Sequence, residues 1–411
     1  MGLNGIGVAG FFDLEQSAEL ITVMGLAITE NEIRGCLQKD LPPIPENLFD
    51  SMGYGGIALA DVDGLSIREN IIEDNGNDLE SVSGIFLLHG EGVEVVGNKI
   101  LHQGAAGELT LGEGGGRCGG INIVYATAPT LCVDTLWERY SLRQNGISAL
   151  RVYDNVVSVR LGQALSVTAL GPVSVRGNQF TTRGIPPRLT AMFREAPLAP
   201  AVVAIVNLGV SNELYGQLFL FSALRQGRFR LRDFGIRLID DILHMPGSLF
   251  RELKTSEIGR YLTNGNVVFR DNQCVLDLLE SEVSWSISSI YILSLDDVAF
   301  HNNQCDCSVL DDFVFTQAVL LSFSIRATSN RFKEGLVGAV FSAVTLGIMN
   351  TTANNQATHP LMILPPAALY PYTKDASNTC LLCLPEHVVS RLFDWATRPF
   401  TEMAKFIGLG A

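Results

Sequence analysis

Four side chains able to transfer protons recur at equivalent places in two similar segments of the chain. When the segments are aligned by their apolar residues, Asp61 falls opposite His89 and Asp63 falls opposite Glu91. If the segments are neighbouring parallel strands, their backbones lie about 4.8 Å apart. Two carboxylates at roughly this separation can cleave a glycosidic bond, and a nearby imidazole can act as acid or base. The pattern therefore predicts a catalytic site for polysaccharide cleavage.

The same residue pattern also fits a calcium site or a solvated turn. Asp61, Asp63 and Glu91 offer the oxygen ligands that Ca²⁺ prefers, so a calcium site is one alternative. The second alternative is a set of solvated turn residues without a ligand, because short turns at a protein surface are generally polar. The equivalent positions of a later segment hold Ala169 and Gly171, and this loss of the acidic pattern favours the solvated turn.

A second candidate site lies in the middle of the chain. Arg228, Arg230 and Arg232 alternate with apolar residues, as in a strand with one basic face. Guanidinium groups pair with carboxylates, so this face can hold an anionic glycan, and Trp137 and Tyr140 can stack on sugar rings. The alternative is a solvent-facing strand balanced by the aspartates that follow it, with the aromatic residues anchoring an insertion to the core.

The eight cysteines show no disulfide framework. Cys274 and Cys305 occupy apolar positions and are expected to be buried as small hydrophobic residues. Cys380 and Cys383 form a single CxxC pair near His387, whereas a structural zinc site needs a further pair of ligands. We therefore expect no metal site of this type, and calcium is the one cofactor left open.

An internal repeat carries these residues. Two apolar residues in alternate positions are followed three places later by Asn, and then by another apolar residue. Alternation with period two indicates a strand, and Asn indicates a tight turn, since it tolerates a left-handed backbone and bonds neighbouring amides. A second apolar pair, such as Ile57 and Leu59 or Ile85 and Leu87, precedes most copies. The clear copies are Leu26, Ile28, Asn31, Ile33; Leu65, Ile67, Asn70, Ile72; Val93, Val95, Asn98, Ile100; Leu150, Val152, Asn155, Val157; Val173, Val175, Asn178, Phe180; Val267, Phe269, Asn272, Cys274; and Val298, Phe300, Asn303, Cys305.

The copies are too close in sequence and too unevenly spaced for repeats of helix pairs. We expect an all-β fold, a right-handed single-stranded parallel β-helix whose three-sided coils stack apolar residues in columns and Asn side chains in a ladder. The cadence over residues 15–360 resembles that of the pectate-lyase-like β-helix superfamily. The resemblance implies this architecture, and it leaves activity open, because the superfamily contains lyases, hydrolases, epimerases and non-catalytic phage and surface proteins.

The resemblance also supplies a test of activity. Pectate-lyase-like enzymes neutralise sugar carboxylates with bound cations or an exposed basic residue, and the coils carry no cluster of that kind. The polygalacturonase pattern joins an Asn-Thr-Asp element, an Asp pair, Gly-His-Gly and Arg-x-Lys. Only Asp296 with Asp297 and His89 with Gly90 match parts of it, and they occur out of order. The missing elements favour a non-catalytic protein.

The repeat predicts one long domain rather than several, because a solenoid grows by adding coils to a continuous core. The domain spans residues 1–364, with an irregular insertion at about 181–260. Residues 365–411 are predicted to form a C-terminal cap, with an amphipathic helix over 385–407 covering the open end of the stack. Shorter insertions at 34–56, 73–84 and 101–120 all leave from one corner and are expected to form the walls of a groove.

Composition limits the partners. The chain of 411 residues carries a net charge of −14, which disfavours binding to nucleic acid. It has neither a signal peptide pattern nor an apolar run long enough to span a bilayer. We therefore expect a cytoplasmic protein or a part of a larger exported or virion-like assembly, with a polysaccharide or a protein of that assembly as partner.

Three functions remain open at this stage. The first is a non-catalytic β-helix module that is structural or contacts a glycan. The second is a polysaccharide lyase or glycoside hydrolase that uses the acidic residues and His89 in the loop-lined groove. The third is an oligomeric tailspike-like adhesin that associates through its C-terminal segment.

Overall fold

The chain folds into parallel β-sheets. The computed structural model describes residues 4–8, 22–38, 53–76, 82–104, 118–128, 148–160, 162–183, 199–209, 265–277, 287–307, 314–334, 339–357, 359, 361–364, 373–376 and 378. Within these ranges the secondary structure is all-β, with no helix. The strands form one sheet of 19 strands and one of nine. Their pairings are all parallel.

Each repeat supplies three kinds of strand. A long strand and a shorter strand after it, which we call the leading strand, belong to the 19-stranded sheet. The leading strand ends just before the repeat's Asn. The strand after the Asn, which we call the following strand, belongs to the nine-stranded sheet. The long strands are Ile6–Val8 with Val23–Met24, Tyr54–Asp63, Val82–Glu91, Gly119–Thr127, Gln163–Leu170, Ala199–Asn207, Ile287–Ser294 and Leu361–Leu364. The leading strands are Ala27–Thr29, Ser66–Arg68, Val93–Val96, Leu150–Tyr153, Val173–Arg176, Val267–Arg270, Asp297–His301 and Thr373–Ala376, while Val314–Thr328 and Ala339–Ala353 run through both kinds. The following strands are Glu32–Arg34, Ile71–Glu73, Lys99–Leu101, Val156–Val159, Gln179–Thr182, Gln273–Leu276, Gln304–Cys307, Arg331–Glu334 and Gln356–Ala357.

Equivalent strands of successive repeats lie side by side. The pairing of the second and third long strands sets Asp61 opposite His89 and Asp63 opposite Glu91. The register predicted from the apolar pattern is therefore confirmed for these two strands. The predicted equivalence of Ala169 with Asp61 and His89 is wrong, because an irregularity in the strand Gly119–Thr127 sets Ala169 opposite Ala126, which is the partner of Gly90. A slip of one residue would turn the apolar set of a strand away from the core, so the cadence alone fixes the alignment.

The predicted insertion is partly regular structure. Ala199–Asn207, which falls inside the predicted range 181–260, is a long strand that pairs with the long strands of the repeats before and after it. The leading strand Val267–Arg270 then pairs directly with Val173–Arg176. The register of the sheet is therefore kept across the longest interruption of the sequence repeat.

Ten Asn side chains form a continuous hydrogen-bonded ladder. The Nδ2 group of each of the first nine donates to Oδ1 of the Asn in the next repeat, with N to O distances of 2.9 to 3.2 Å. The same Oδ1 accepts the backbone N–H of the preceding ladder Asn at 2.9 to 3.1 Å. The predicted ladder is confirmed and consists of Asn31, Asn70, Asn98, Asn155, Asn178, Asn272, Asn303, Asn330, Asn355 and Asn378.

The residue before each of the first nine ladder Asn residues makes the turn. This residue has a left-handed backbone, with φ between 51° and 67°, in Glu30, Glu69, Gly97, Asp154, Gly177, Asp271, Asn302, Ser329 and Asn354. The prediction that the ladder Asn itself adopts this conformation is wrong. Because the preceding residue turns the chain, the Asn side chain enters the interior, where its amide satisfies backbone groups of two repeats.

Columns of apolar side chains fill the interior. Cys274 and Cys305 are buried register partners in the following strands, which confirms their predicted core position. Burial raises the pKa of the Cys274 thiol. The rings of Phe269 and Phe300 stack with centroids 5.4 Å apart. The two main columns are Ile28, Ile67, Val95, Val152, Val175, Phe269, Phe300 and Ala327, and Ile33, Ile72, Ile100, Val157, Phe180, Cys274, Cys305 and Phe332.

The structure gives no support for a helical cap in the part of 365–411 that it describes. Thr373–Ala376 is a strand that pairs with Asn350–Ala353, and Asn378 is the last member of the ladder. The stack therefore continues beyond the predicted boundary at residue 364. The helix predicted over 385–407 lies outside the described residues.

Candidate functional site

The side chains of Asp61 and His89 are in direct contact. Nδ1 of His89 lies 2.5 Å from Oδ1 of Asp61, and Thr22 Oγ1 donates to Oδ2 of the same carboxylate, also at 2.5 Å. The His89 ring stacks on Tyr125, its register partner in the next long strand, with ring centroids 5.4 Å apart. Thr22, Asp61, His89 and Tyr125 thus form a row across four successive repeats, joined by two polar contacts and one ring stack, and we call it the acid–imidazole row.

Asp61 is held in its ionised form. Burial of this carboxyl, whose side chain is 7% exposed, raises its pKa. The hydrogen bonds from His89 and Thr22 and the charge of His89 outweigh burial, so the pKa lies below the usual 3.8. When Nδ1 of His89 carries the proton and donates a hydrogen bond to the carboxylate, Nε2 is the basic nitrogen of the ring. Asp61 therefore suits the positioning of an imidazole, whereas a general acid needs a raised pKa.

The other two predicted acidic residues lie further along the same strands. Asp63 and Glu91 are register partners, both half-buried, and Thr127 is the partner of Glu91 in the next strand. The Thr127 hydroxyl oxygen is buried and has no hydrogen-bond partner within the described ranges. The catalytic role of these residues and a calcium site at Asp61, Asp63 and Glu91 both stay predictions.

The short predicted insertions do leave from one corner. Arg34, Glu73 and Leu101, the last residues of three successive following strands, are register partners. The next long strands begin at Tyr54, Val82 and Gly119. Most of the connecting residues lie outside the described ranges, so the groove they were predicted to wall stays a prediction.

An ionic cluster lies at this corner. One carboxylate or imidazole atom each from Glu73, Asp74 and His102 falls within 4.8 Å of the other two, and no other such group of three occurs among the described residues. Arg34 Nε is 3.3 Å from Glu73, and Arg160 is 4.0 Å from Asp74. Arginines therefore already balance both carboxylates, which identifies the cluster as an ion-pair network.

The predicted glycan-binding residues cannot be compared with the fold. Arg228, Arg230, Arg232, Trp137 and Tyr140 all lie outside the described residues. Their role in binding a glycan stays a prediction.

A different set of basic and aromatic residues lines the outer side of the leading strands. The position two residues before the ladder Asn alternates with the buried apolar positions, so its side chain faces away from the core. In four successive repeats it holds Tyr153, Arg176, Arg270 and His301, which are register partners about 4.8 Å apart. We call these four residues the outer column.

The contacts within the outer column are unequal. The guanidinium carbon of Arg176 lies 5.6 Å from the Tyr153 ring centroid, a cation–π contact. Nε of Arg176 is buried without a hydrogen-bond partner, and this arginine forms no ion pair with any described residue. Arg270 is paired with Asp271 at 3.5 Å. Arg176 is therefore the cation of the column with unused donor capacity.

His301 completes the column at its C-terminal side. Its Nδ1 lies 2.7 Å from Thr328 Oγ1. Burial and the charges of Arg326 and Arg270 lower the pKa of His301 below its usual 6.5, and Asp297 opposes this effect. The imidazole is therefore held in its neutral form at neutral pH.

Sequence reasoning missed the outer column, although the signal is present. The four residues recur at one fixed distance before an Asn, and each follows a residue that the cadence assigns to the core. A basic face is easily recognised where its residues are near one another in sequence, whereas parallel pairing brings together residues that are far apart in the chain.

Comparison with protein-family models, curated proteins and solved structures found no match. Among the described residues, the structure contains no helix with the length and apolar character needed to cross a bilayer.

Proposed function

We propose that this chain is a right-handed parallel β-helix of the pectate-lyase-like kind, and that it acts as a rigid non-catalytic module that contacts a glycan within a larger assembly. The all-parallel pairing, the three strand segments per repeat and the ladder support the winding. Right-handed crossovers between parallel strands of one sheet are the general rule, which supports the handedness.

The outer column is the observation that carries the functional proposal. An aromatic ring, two guanidinium groups and an imidazole follow one another at the strand spacing, so a linear polymer that lies along the outer column can contact one of these side chains in each of four successive repeats. Stacking rings and guanidinium groups suit sugars and their acidic substituents. The binding energy is then spread over several repeats rather than concentrated in a deep pocket.

The electrostatics of the acid–imidazole row support a non-catalytic role. Cleavage of a glycosidic bond needs one carboxyl with a raised pKa, and the pKa of Asp61 is lowered instead. The second candidate is a lyase or hydrolase, and one observation favours it: Asp61 fixes the His89 ring in a way that suits proton transfer.

A glycan array followed by a turnover assay tests both candidates. The purified chain is screened for binding, and each bound glycan is then incubated with it and assayed for new reducing ends and for unsaturated products. We expect binding without turnover. Turnover that is lost in Asp63→Ala and Glu91→Ala would replace the module by the enzyme, and an array without any bound glycan would contradict glycan contact.

A further inference from the structure

We propose that a second copy of this chain docks at the N-terminal end of the stack. In this dimer the strand Glu32–Arg34 of each chain pairs antiparallel with the same strand of the other chain, about a two-fold axis at Ile33. The dimer is independent of glycan contact, because its surface is the end of the stack and not the outer column.

Glu32–Arg34 is an edge strand of the nine-stranded sheet. It pairs with Ile71–Glu73 on one side, and no described residue pairs with it on the other side. The following strands from Ile71–Glu73 to Arg331–Glu334 have partners on both sides. An open strand edge is a template on which another chain can add a strand.

The backbone groups on the open side are those of Glu32 and Arg34. In later repeats the first residue of the following strand donates its N–H to the repeat before it, as Ile71 does to the Asn31 carbonyl at 2.8 Å. Glu32 is the register partner of Ile71, and its N–H has no acceptor among the described residues. Arg34 faces the same side, since alternate residues of a parallel strand bond the same neighbour. Its carbonyl oxygen accepts only the weak thiol donor of Cys36, at 3.7 Å.

Antiparallel pairing about Ile33 engages all of these backbone groups. Opposite residues whose N–H and C=O groups face each other exchange two hydrogen bonds. With the axis at Ile33, Glu32 lies opposite Arg34 of the second copy, and Arg34 lies opposite Glu32 of the second copy. The two pairs therefore form four backbone hydrogen bonds. Because the axis is perpendicular to the sheet, the buried side chain of Ile33 stays on the inner face in both chains.

The charges of this strand are complementary to themselves. The side chains of Glu32 and Arg34 face outward and are 59% and 51% exposed. In one chain Nη1 of Arg34 lies 2.8 Å from Glu32, and its Nε lies 3.3 Å from Glu73. The antiparallel register sets each of the two charges beside the opposite charge of the second copy, and such cross-strand pairs are favourable. Charges on an edge strand usually prevent pairing, whereas this order of acid, apolar residue and base makes one antiparallel register attractive.

Sedimentation velocity of the full chain over a wide range of concentration tests the dimer. A two-fold contact closes after two chains, and a strand of three residues is a short contact, so we expect a dimer that dissociates on dilution and no larger oligomer.

Reversal of the charges tests the register of the dimer. Arg34→Glu sets four carboxylates around the axis, and Glu32→Arg sets four guanidinium groups there, so each variant alone should dimerise at least ten-fold more weakly. An equimolar mixture of the two variants sets opposite charges across the axis again and should form a mixed dimer. The double variant Glu32→Arg with Arg34→Glu exchanges the two charges and should dimerise as the natural chain does.

Lys333→Glu is the matched control, because Lys333 is an exposed cation that lies 3.7 Å from Asp306 on a following strand with partners on both sides. It should change the dimer dissociation constant less than two-fold, and urea midpoints show which variants fold. If a single variant does not fold, the double variant decides, and a monomeric double variant would overturn the register.

Three other results would also overturn the proposal. The first is a natural chain that stays monomeric at the highest concentration. The second is growth beyond the dimer, which would indicate head-to-tail contact between copies instead of a two-fold axis. The third is a dimer that responds to Arg34→Glu no more than to Lys333→Glu, or folded single variants that form no mixed dimer.

Discussion

Replacement of Asn155 by alanine perturbs the ladder at its centre. The side chain is fully buried and takes part in five hydrogen bonds of 2.9 to 3.0 Å. Its Oδ1 accepts from the backbone N–H and the Nδ2 group of Asn98. Its Nδ2 donates to Asn178 Oδ1 and to the carbonyl oxygens of Val95 and Tyr153. The substitution therefore removes hydrogen bonds within its own repeat and to the repeats before and after it.

The expected loss of unfolding free energy follows from the groups left behind. The backbone N–H of Asn98 loses its acceptor, and a buried donor without a partner costs about 1–3 kcal/mol. Asn98 Nδ2, Asn178 Oδ1 and the Tyr153 carbonyl each keep another partner, so their lost bonds cost less. With the cavity left by the side chain, we expect Asn155→Ala to lower the free energy of unfolding by about 3–5 kcal/mol.

Urea unfolding followed by far-ultraviolet circular dichroism measures this loss. The control is Asn302→Gly, at an exposed turn residue with φ of 51°, where glycine adopts the backbone without strain. The control should change the unfolding free energy by less than about 0.5 kcal/mol. A loss of under about 1 kcal/mol in Asn155→Ala would refute the idea that the ladder is a buried and mutually dependent stack.

Three further predictions concern the row, the core packing and the thiols. Because the pKa of Asp61 is lowered in the folded chain, its contribution to stability is present above pH 3.8 and is lost as the pH falls through the lower folded value. Asp61→Asn should therefore reduce the dependence of the unfolding free energy on pH in acid, measured by urea unfolding at several pH values. An unchanged dependence would contradict the assignment. A Cβ on Gly84 would lie 2.2 Å from a side-chain carbon of Ile100, whereas a Cβ on Gly7 would make only ordinary van der Waals contacts. Gly84→Ala should therefore lower the melting temperature and Gly7→Ala should not. Equal effects of the two substitutions would argue against this close approach. Cys274 should react with iodoacetamide only after denaturation, and peptide mapping that finds it alkylated in the folded chain would contradict its burial.

The register of the fold could be predicted because the repeats share the same apolar alternation and the same placement of Asn. An apolar alternation of period two leaves one register that buries all of its members. An Asn at a fixed distance supplies an amide that bonds the Asn side chain and the backbone of the neighbouring repeat in that register. Asn378 escaped prediction because Thr373 and Asp375 occupy the cadence positions that are apolar in the clear copies. The left-handed residue was misassigned because Asn favours that conformation in general, while here its amide is needed in the interior.

The candidate sites were predictable only where neighbours in space follow from the cadence. The contact between Asp61 and His89 could be predicted, since both residues occupy the equivalent position in successive long strands. The lowered pKa of Asp61 could not be predicted in full, because it depends on Thr22 as well as on His89, and Thr22 reaches the carboxylate from the preceding repeat. Arg176 and Arg270 become neighbours only through the pairing of strands on either side of the longest interruption.

One disulfide measurement tests the stacked arrangement most directly. Ser174 and Val268 are register partners across that interruption, so their Cα atoms lie about 4.8 Å apart, within the range that a disulfide spans. Ala299 is one strand further, about 9.6 Å from Ser174 and outside that range. Under mild oxidation, Ser174→Cys with Val268→Cys should give the linked peptide by mass spectrometry, and Ser174→Cys with Ala299→Cys should not. Absence of the first link, or equal yields of the two, would contradict a single stack in continuous register.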